Sequence, residues 1–89
     1  MIAIPFNAQT IKGKVTDEKN APLTYANVVL QTVDSIYVAG TTTDMEGRFE
    51  LALHEKAKLI NISFVGYSTI IKEISQYNLG IIQLNLRKD

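Results

Sequence analysis

At 89 residues the chain has room for one domain with a small core, because a chain of this size buries only about 60–65% of the surface its unfolded form exposes. An apolar share of 46% beside 20% charged residues is that of a folded globular domain, which excludes intrinsic disorder. Nine basic residues balance nine acidic ones, so nothing favours nucleic acid or an anionic membrane surface, while the lack of Cys removes disulfides, thiolate metal sites and thiol nucleophiles.

Taken in chain order, Met1 to Gln9 is apolar and uncharged. Two readings fit it: the tail of an export signal cut before Gln9, or a disordered or strand-forming terminus. Thr10 to Thr16 alternates, with Ile11, Gly13 and Val15 on one face and Lys12 and Lys14 on the other, as a half-buried strand does. Asp17 to Leu23 is a polar turn containing Pro22. Ala26, Val28 and Leu30 alternate with Asn27, Val29 and Gln31 in a second strand that is apolar on both faces and therefore expected at the centre of a sheet.

Asp34-Ser35 breaks the pattern, and Ile36 to Thr43 is rich in Thr, Val and Tyr, as strands are. The next stretch, Asp44-Met45-Glu46-Gly47, is expected to be a hairpin turn: Asp44 can bond its own backbone, and Gly47 can take positive φ. A strand from Phe49 to Leu53 leaves it. After the polar run His54 to Lys58, alternation resumes at Ile60, Ile62 and Phe64 and closes at Gly66. Tyr67 to Ile74 reads as a further strand, Ser75 to Gly80 as a connection, and Ile82, Leu84 and Leu86 as the last alternating set. No segment has a helical period or the roughly 20 apolar residues of a membrane-spanning helix. About seven short strands at this spacing predict an all-β sandwich or barrel.

The sharper chemical readings fare poorly against plain ones. Asp44 and Glu46 beside Gly47 lack the ladder of six to eight oxygens that calcium requires. His54 next to Glu55 has no Ser, Asp or second His at a recognisable spacing, which points to a solvent-facing loop. Lys12, Lys14 and Lys19 fit the solvated face of a first strand, and Val29 fits either a fully buried strand or a surface docked against a neighbouring domain.

In order, Ile11-Lys12-Gly13-Lys14-Val15-Thr16-Asp17, Pro22-Leu23, Ala26-Asn27-Val28, Thr43-Asp44 to Gly47-Arg48-Phe49 and Ser63-Phe64-Val65-Gly66-Tyr67 resemble the carboxypeptidase-regulatory-like domain across residues 10–86. The signature positions are Gly13, Pro22, Asn27, Asp44, Gly47, Phe49, Phe64, Gly66 and Tyr67, with Tyr67 expected to pack its ring at the sandwich edge. Asn20-Ala21 stands where the family's first turn usually has Gly. The resemblance implies a seven-stranded Greek-key β-sandwich, prealbumin-like and immunoglobulin-like, without catalytic residues, metal or other cofactor.

It further implies a place at the N-terminus of a TonB-dependent outer-membrane receptor or transporter, on the periplasmic face of a Gram-negative outer membrane. There the module would act by protein–protein association or spacing during nutrient uptake. The expected partners are the receptor's own plug and barrel and periplasmic or outer-membrane accessory proteins. Nucleic acid is not expected, the module does not itself span the membrane, and exposed edge strands allow a strand-exchanged dimer. Residues 87–89 are expected to begin a linker to a further domain. The alternatives are an accessory folding domain of a zinc carboxypeptidase and a free-standing surface sandwich that binds carbohydrate or protein.

Overall fold

In the computed structural model, which describes residues 9–88, the alternating segments form seven strands: β1 (Thr10–Thr16), β2 (Asn27–Gln31), β3 (Tyr37–Thr42), β4 (Arg48–Ala52), β5 (Leu59–Ser63), β6 (Ile70–Glu73) and β7 (Asn78–Gln83). They make the expected sandwich of two sheets, ordered β4-β1-β7 and β3-β2-β5-β6. All ladders are antiparallel except β1 with β7, which is parallel. Apart from Gln9, the expected signal remnant lies outside the described residues.

Period-2 alternation accounts for the core. Ile11 and Val15 of β1, Val28 and Leu30 of β2, Ile60 and Ile62 of β5, and Leu84 are fully buried, while their neighbours, the buried Thr16 excepted, are half-buried or exposed. β2 lies between β3 and β5, as its two-faced apolar character predicts. Cutting Ile60 or Ile62 back to Ala would cost about 2–5 kcal/mol in transfer and cavity terms.

Three connections share one backbone form. In each, the first residue's carbonyl accepts the N–H of the fourth, and its own N–H reaches the carbonyl of the fifth. The bonds are Asn20 to Asp17 (3.0 Å) and Asp17 to Ala21 (2.9 Å); Ser35 to Thr32 (2.8 Å) and Thr32 to Ile36 (2.9 Å); Gly47 to Asp44 (2.9 Å) and Asp44 to Arg48 (2.9 Å). The fourth residue is left-handed each time, with φ of 66° at Asn20, 66° at Ser35 and 77° at Gly47. This is a type I turn followed by a left-handed residue, and an oxygen-bearing first side chain suits it by accepting nearby N–H groups. Asp17 Oδ1 accepts from Lys19 (2.8 Å) and Ala21 (2.9 Å), Thr32 Oγ1 from Ile36 (3.2 Å), and Asp44 Oδ1 from Glu46 and Arg48 (2.9 Å each).

Three expectations need correction. The turn at Asp44–Gly47 has hairpin geometry, yet β3 and β4 belong to different sheets, so it is a corner between layers. The sixth strand does not run from Tyr67 to Ile74. Pairing with β5 spans only Ile70–Glu73, since Tyr67 closes a turn on Phe64 and bridges to Leu86. The last strand starts inside the expected connection, at Asn78, where a register shift between Lys12 and Lys14 and a left-handed Gly80 interrupt the alternation that marks strands in sequence.

Candidate functional site

Seven of the nine signature residues gather at one pole of the sandwich, where β1 and β7 end and β2 and β4 begin. Asp44 organises this pole through the two amide bonds just given. Those N–H donors, that of Arg48 foremost, hold its carboxyl below the ordinary value of 3.8. Gly47 then passes so close to the first strand that a Cβ placed there would lie 2.5 Å from the Val15 carbonyl oxygen and 3.1 Å from the Pro22 Cβ. Left-handed φ and this approach together explain the glycine. Pro22 bridges Thr16, locking the first turn against the same strand end.

Beside it, the Phe64–Tyr67 turn places the two rings 5.7 Å apart at 49°, both half-buried against the core. Gly66, at φ 88°, offers its carbonyl to the Arg87 N–H at 2.9 Å, and Ser68 donates to the Asn85 carbonyl at 2.8 Å, so this turn staples the last segment to the pole. Asn27 opens β2 and is exposed.

Gly13 and Phe49 lie away from this pole, inside the sandwich, as a cross-strand pair between β1 and β4. A Cβ on Gly13 would meet the Phe49 ring at 2.9 Å, so the bare backbone leaves room for the ring.

Two residues of the pole escape a reading of the sequence. Thr43 is buried, donates its hydroxyl hydrogen to the Leu23 carbonyl at 2.6 Å and accepts the Ala26 N–H at 2.9 Å, tying the Leu23–Ala26 corner to the end of β3. As the last of three consecutive threonines it carries no local signal. Tyr25 holds φ 64° and is 70% exposed, and Met45 in the facing corner is 80% exposed. Thr24 Oγ1 donates to the Met45 carbonyl at 3.4 Å and the Tyr25 N–H to that of Thr43 at 3.1 Å, joining the two corners.

The outer faces differ in chemistry. The three-stranded sheet presents Lys12, Lys14, Arg48 and Glu50 around an open groove of about 580 Å³ that also reaches Asp44 and Asn78. The four-stranded sheet presents a row of Gly40, Val29, Asn61 and Ile71, with Val29 half-buried in it. Lys19 is part of the Asp17 turn. His54 sits in the β4–β5 turn, where its Nδ1 accepts the Lys56 N–H at 3.1 Å, a structural use. Among the described residues no three His, Asp or Glu side chains are placed to share a metal ion. The arrangement offers surfaces, edges and rigid corners.

The fold is similar to that of 3-chlorocatechol 1,2-dioxygenase from Rhodococcus opacus, with a TM-score of 0.58 and 12% identity. The match covers 88% of this chain and 59% of that one, and at such identity the likeness is one of fold alone. No curated protein matches the sequence. A family model described as CarboxypepD_reg-like domain matches residues 11–89, the span that holds every signature residue. The chain belongs to the carboxypeptidase-regulatory-like domain family.

Proposed function

We propose that this domain is a non-catalytic spacing and association module at the N-terminus of an outer-membrane TonB-dependent receptor or transporter, on the periplasmic face. The observation that carries the reading is the parallel pairing of β1 with β7. Because the first and last strands run the same way, the backbone enters at one pole and leaves at the other, about 20 Å away over the length of β1. A module built like this lengthens a chain in a straight line. The stapling of Asn85 and Arg87 onto the Phe64–Tyr67 turn makes the exit rigid, which suits a part that sets the position of what it is joined to.

The receptor context rests on the family resemblance, and the partners it supplies are a plug and barrel on the same chain and accessory proteins of the periplasm or outer membrane. The test is to express the intact gene, fractionate membranes and sequence the mature N-terminus by mass spectrometry. A large outer-membrane product whose mature chain begins at Gln9 supports the reading. A soluble product that retains Met1 refutes it.

A further inference from the structure

Each sheet has two edges, and three of the four are obstructed. β6 has four residues and places the charged Lys72 opposite Ile60, in the core-facing register; β3 and β7 each carry a register shift. Charges turned inward and bulges are how sheets avoid pairing with other chains. β4 differs: its register against β1 is unbroken over five residues, from Arg48 to Ala52.

The direction of its free hydrogen-bonding groups follows from the ladder. Leu53 donates to the Gln9 carbonyl and Val15 to the Gly47 carbonyl, each at 2.7 Å. Alternation between these bonds turns Phe49 and Leu51 toward β1 and the N–H and C=O of Arg48, Glu50 and Ala52 toward the open side. Arg48 is satisfied there by Asp44. Among the described residues nothing pairs with the N–H and C=O groups of Glu50 and Ala52, which face an incoming strand. Half-buried Leu51 lies on this strand, packed on the core.

We propose that β4 is a docking edge for an extended segment of another protein, added antiparallel by strand addition. Charge complementarity specifies the segment. Residues facing the core side are apolar, to cover Leu51, while those on the outer face place a cation opposite Glu50 and, two residues later, an anion opposite Arg48. A second copy of this chain fits worse: with Arg48 closed by its turn, self-pairing sets Glu50 against its own copy, or sets Glu50 against Ala52 and Arg48 against His54. This inference rests on the fold and stands apart from the receptor reading.

The test uses the 89-residue chain and two capped hexapeptides of identical composition, Thr-Val-Lys-Val-Glu-Val and Thr-Val-Glu-Val-Lys-Val, titrated against ¹⁵N-labelled protein. The first should give saturable shifts at the Glu50 and Ala52 amides, and the second should bind roughly 3- to 30-fold more weakly, from two cross-strand pairs changed in sign. Ala52→Pro, which has no N–H at position 52, should keep the fold, since proline is tolerated at an edge, and abolish the shift at the Glu50 amide. Exchanging the charges in the protein, Arg48→Glu with Glu50→Arg, should reverse the peptide preference. No saturable shift at Glu50 and Ala52 at millimolar peptide, equal affinity for both peptides, or a dimer in sedimentation that perturbs these same amides would each overturn the proposal.

Discussion

Thr16 and Thr43 are each 1% exposed, and replacing either with valine removes one hydroxyl and little volume. The expected outcomes have opposite signs. Thr43 Oγ1 bonds the Leu23 carbonyl at 2.6 Å and the Ala26 N–H at 2.9 Å, so Thr43→Val breaks two buried bonds and leaves two backbone groups without them. At about 0.5–1.5 kcal/mol net per bond, plus part of the penalty for stranded polar groups, the loss is about 2–4 kcal/mol. For a domain of this size that lowers Tm by about 10–25 °C. Thr16 Oγ1 is buried with no partner among the described residues. Thr16→Val therefore removes a desolvated hydroxyl and should stabilise by about 0.5–2 kcal/mol. Thr43→Ser is the control, since it keeps both bonds and loses only a methyl worth about 0.8 kcal/mol. Urea unfolding of the three variants, with hydrogen exchange at the Ala26 amide, reads the result. If Thr43→Val and Thr16→Val shift the midpoint equally, or Thr43→Ser falls as far as Thr43→Val, the hydrogen-bonded corner is not what holds this pole.

Gly47→Val should cost upwards of about 2 kcal/mol, because left-handed backbone and the 2.5 Å approach to the Val15 oxygen act together; an unchanged unfolding midpoint would show the corner assignment to be mistaken. Tyr25→Asn should raise stability by about 0.5–1 kcal/mol, relieving φ 64° at an exposed side chain, and a fall in the midpoint would mean that the ring makes contacts worth more than the strain. Gly13→Ala should destabilise by about 1–3 kcal/mol through the Phe49 ring, and most of the loss should vanish in a Phe49→Leu background; additive costs in that cycle would rule out the ring as the cause. Because the folded-state carboxyl of Asp44 is held below its ordinary value, the native state binds fewer protons than the unfolded one in acid. Its contribution is complete above the ordinary value and is lost as pH falls through the depressed one. Asp44→Asn, which keeps an Oδ1 acceptor, should flatten stability against pH in that acid window, and a wild-type slope in the variant would assign the dependence elsewhere.

Alternation by itself determined which residues line the core: Ile11, Val15, Val28, Leu30, Ile60 and Ile62 follow from period 2, because each lies in a strand with one face turned to the other sheet. The turns were equally local. Asp44 and Gly47 specify their corner within five residues, since a carboxylate that bonds its own backbone and a residue without a Cβ need no distant contact. What flanks such a turn is another matter. One backbone form recurs at Asp17–Ala21, Thr32–Ile36 and Asp44–Arg48, yet only Thr32–Ile36 joins strands that pair with each other, while the other two carry the chain from one sheet to the opposite one. The difference lies in which strand across the sandwich buries each apolar face, a contact between residues far apart in the chain. Position within a run of threonines likewise gave no sign of Thr43, whose bonding partners are 17 and 20 residues away. The open edge of β4 emerges only once β1 has taken its other side, so alternation placed β1 to β5, while the tertiary structure decided the bounds of β6 and β7 and which edges stayed open.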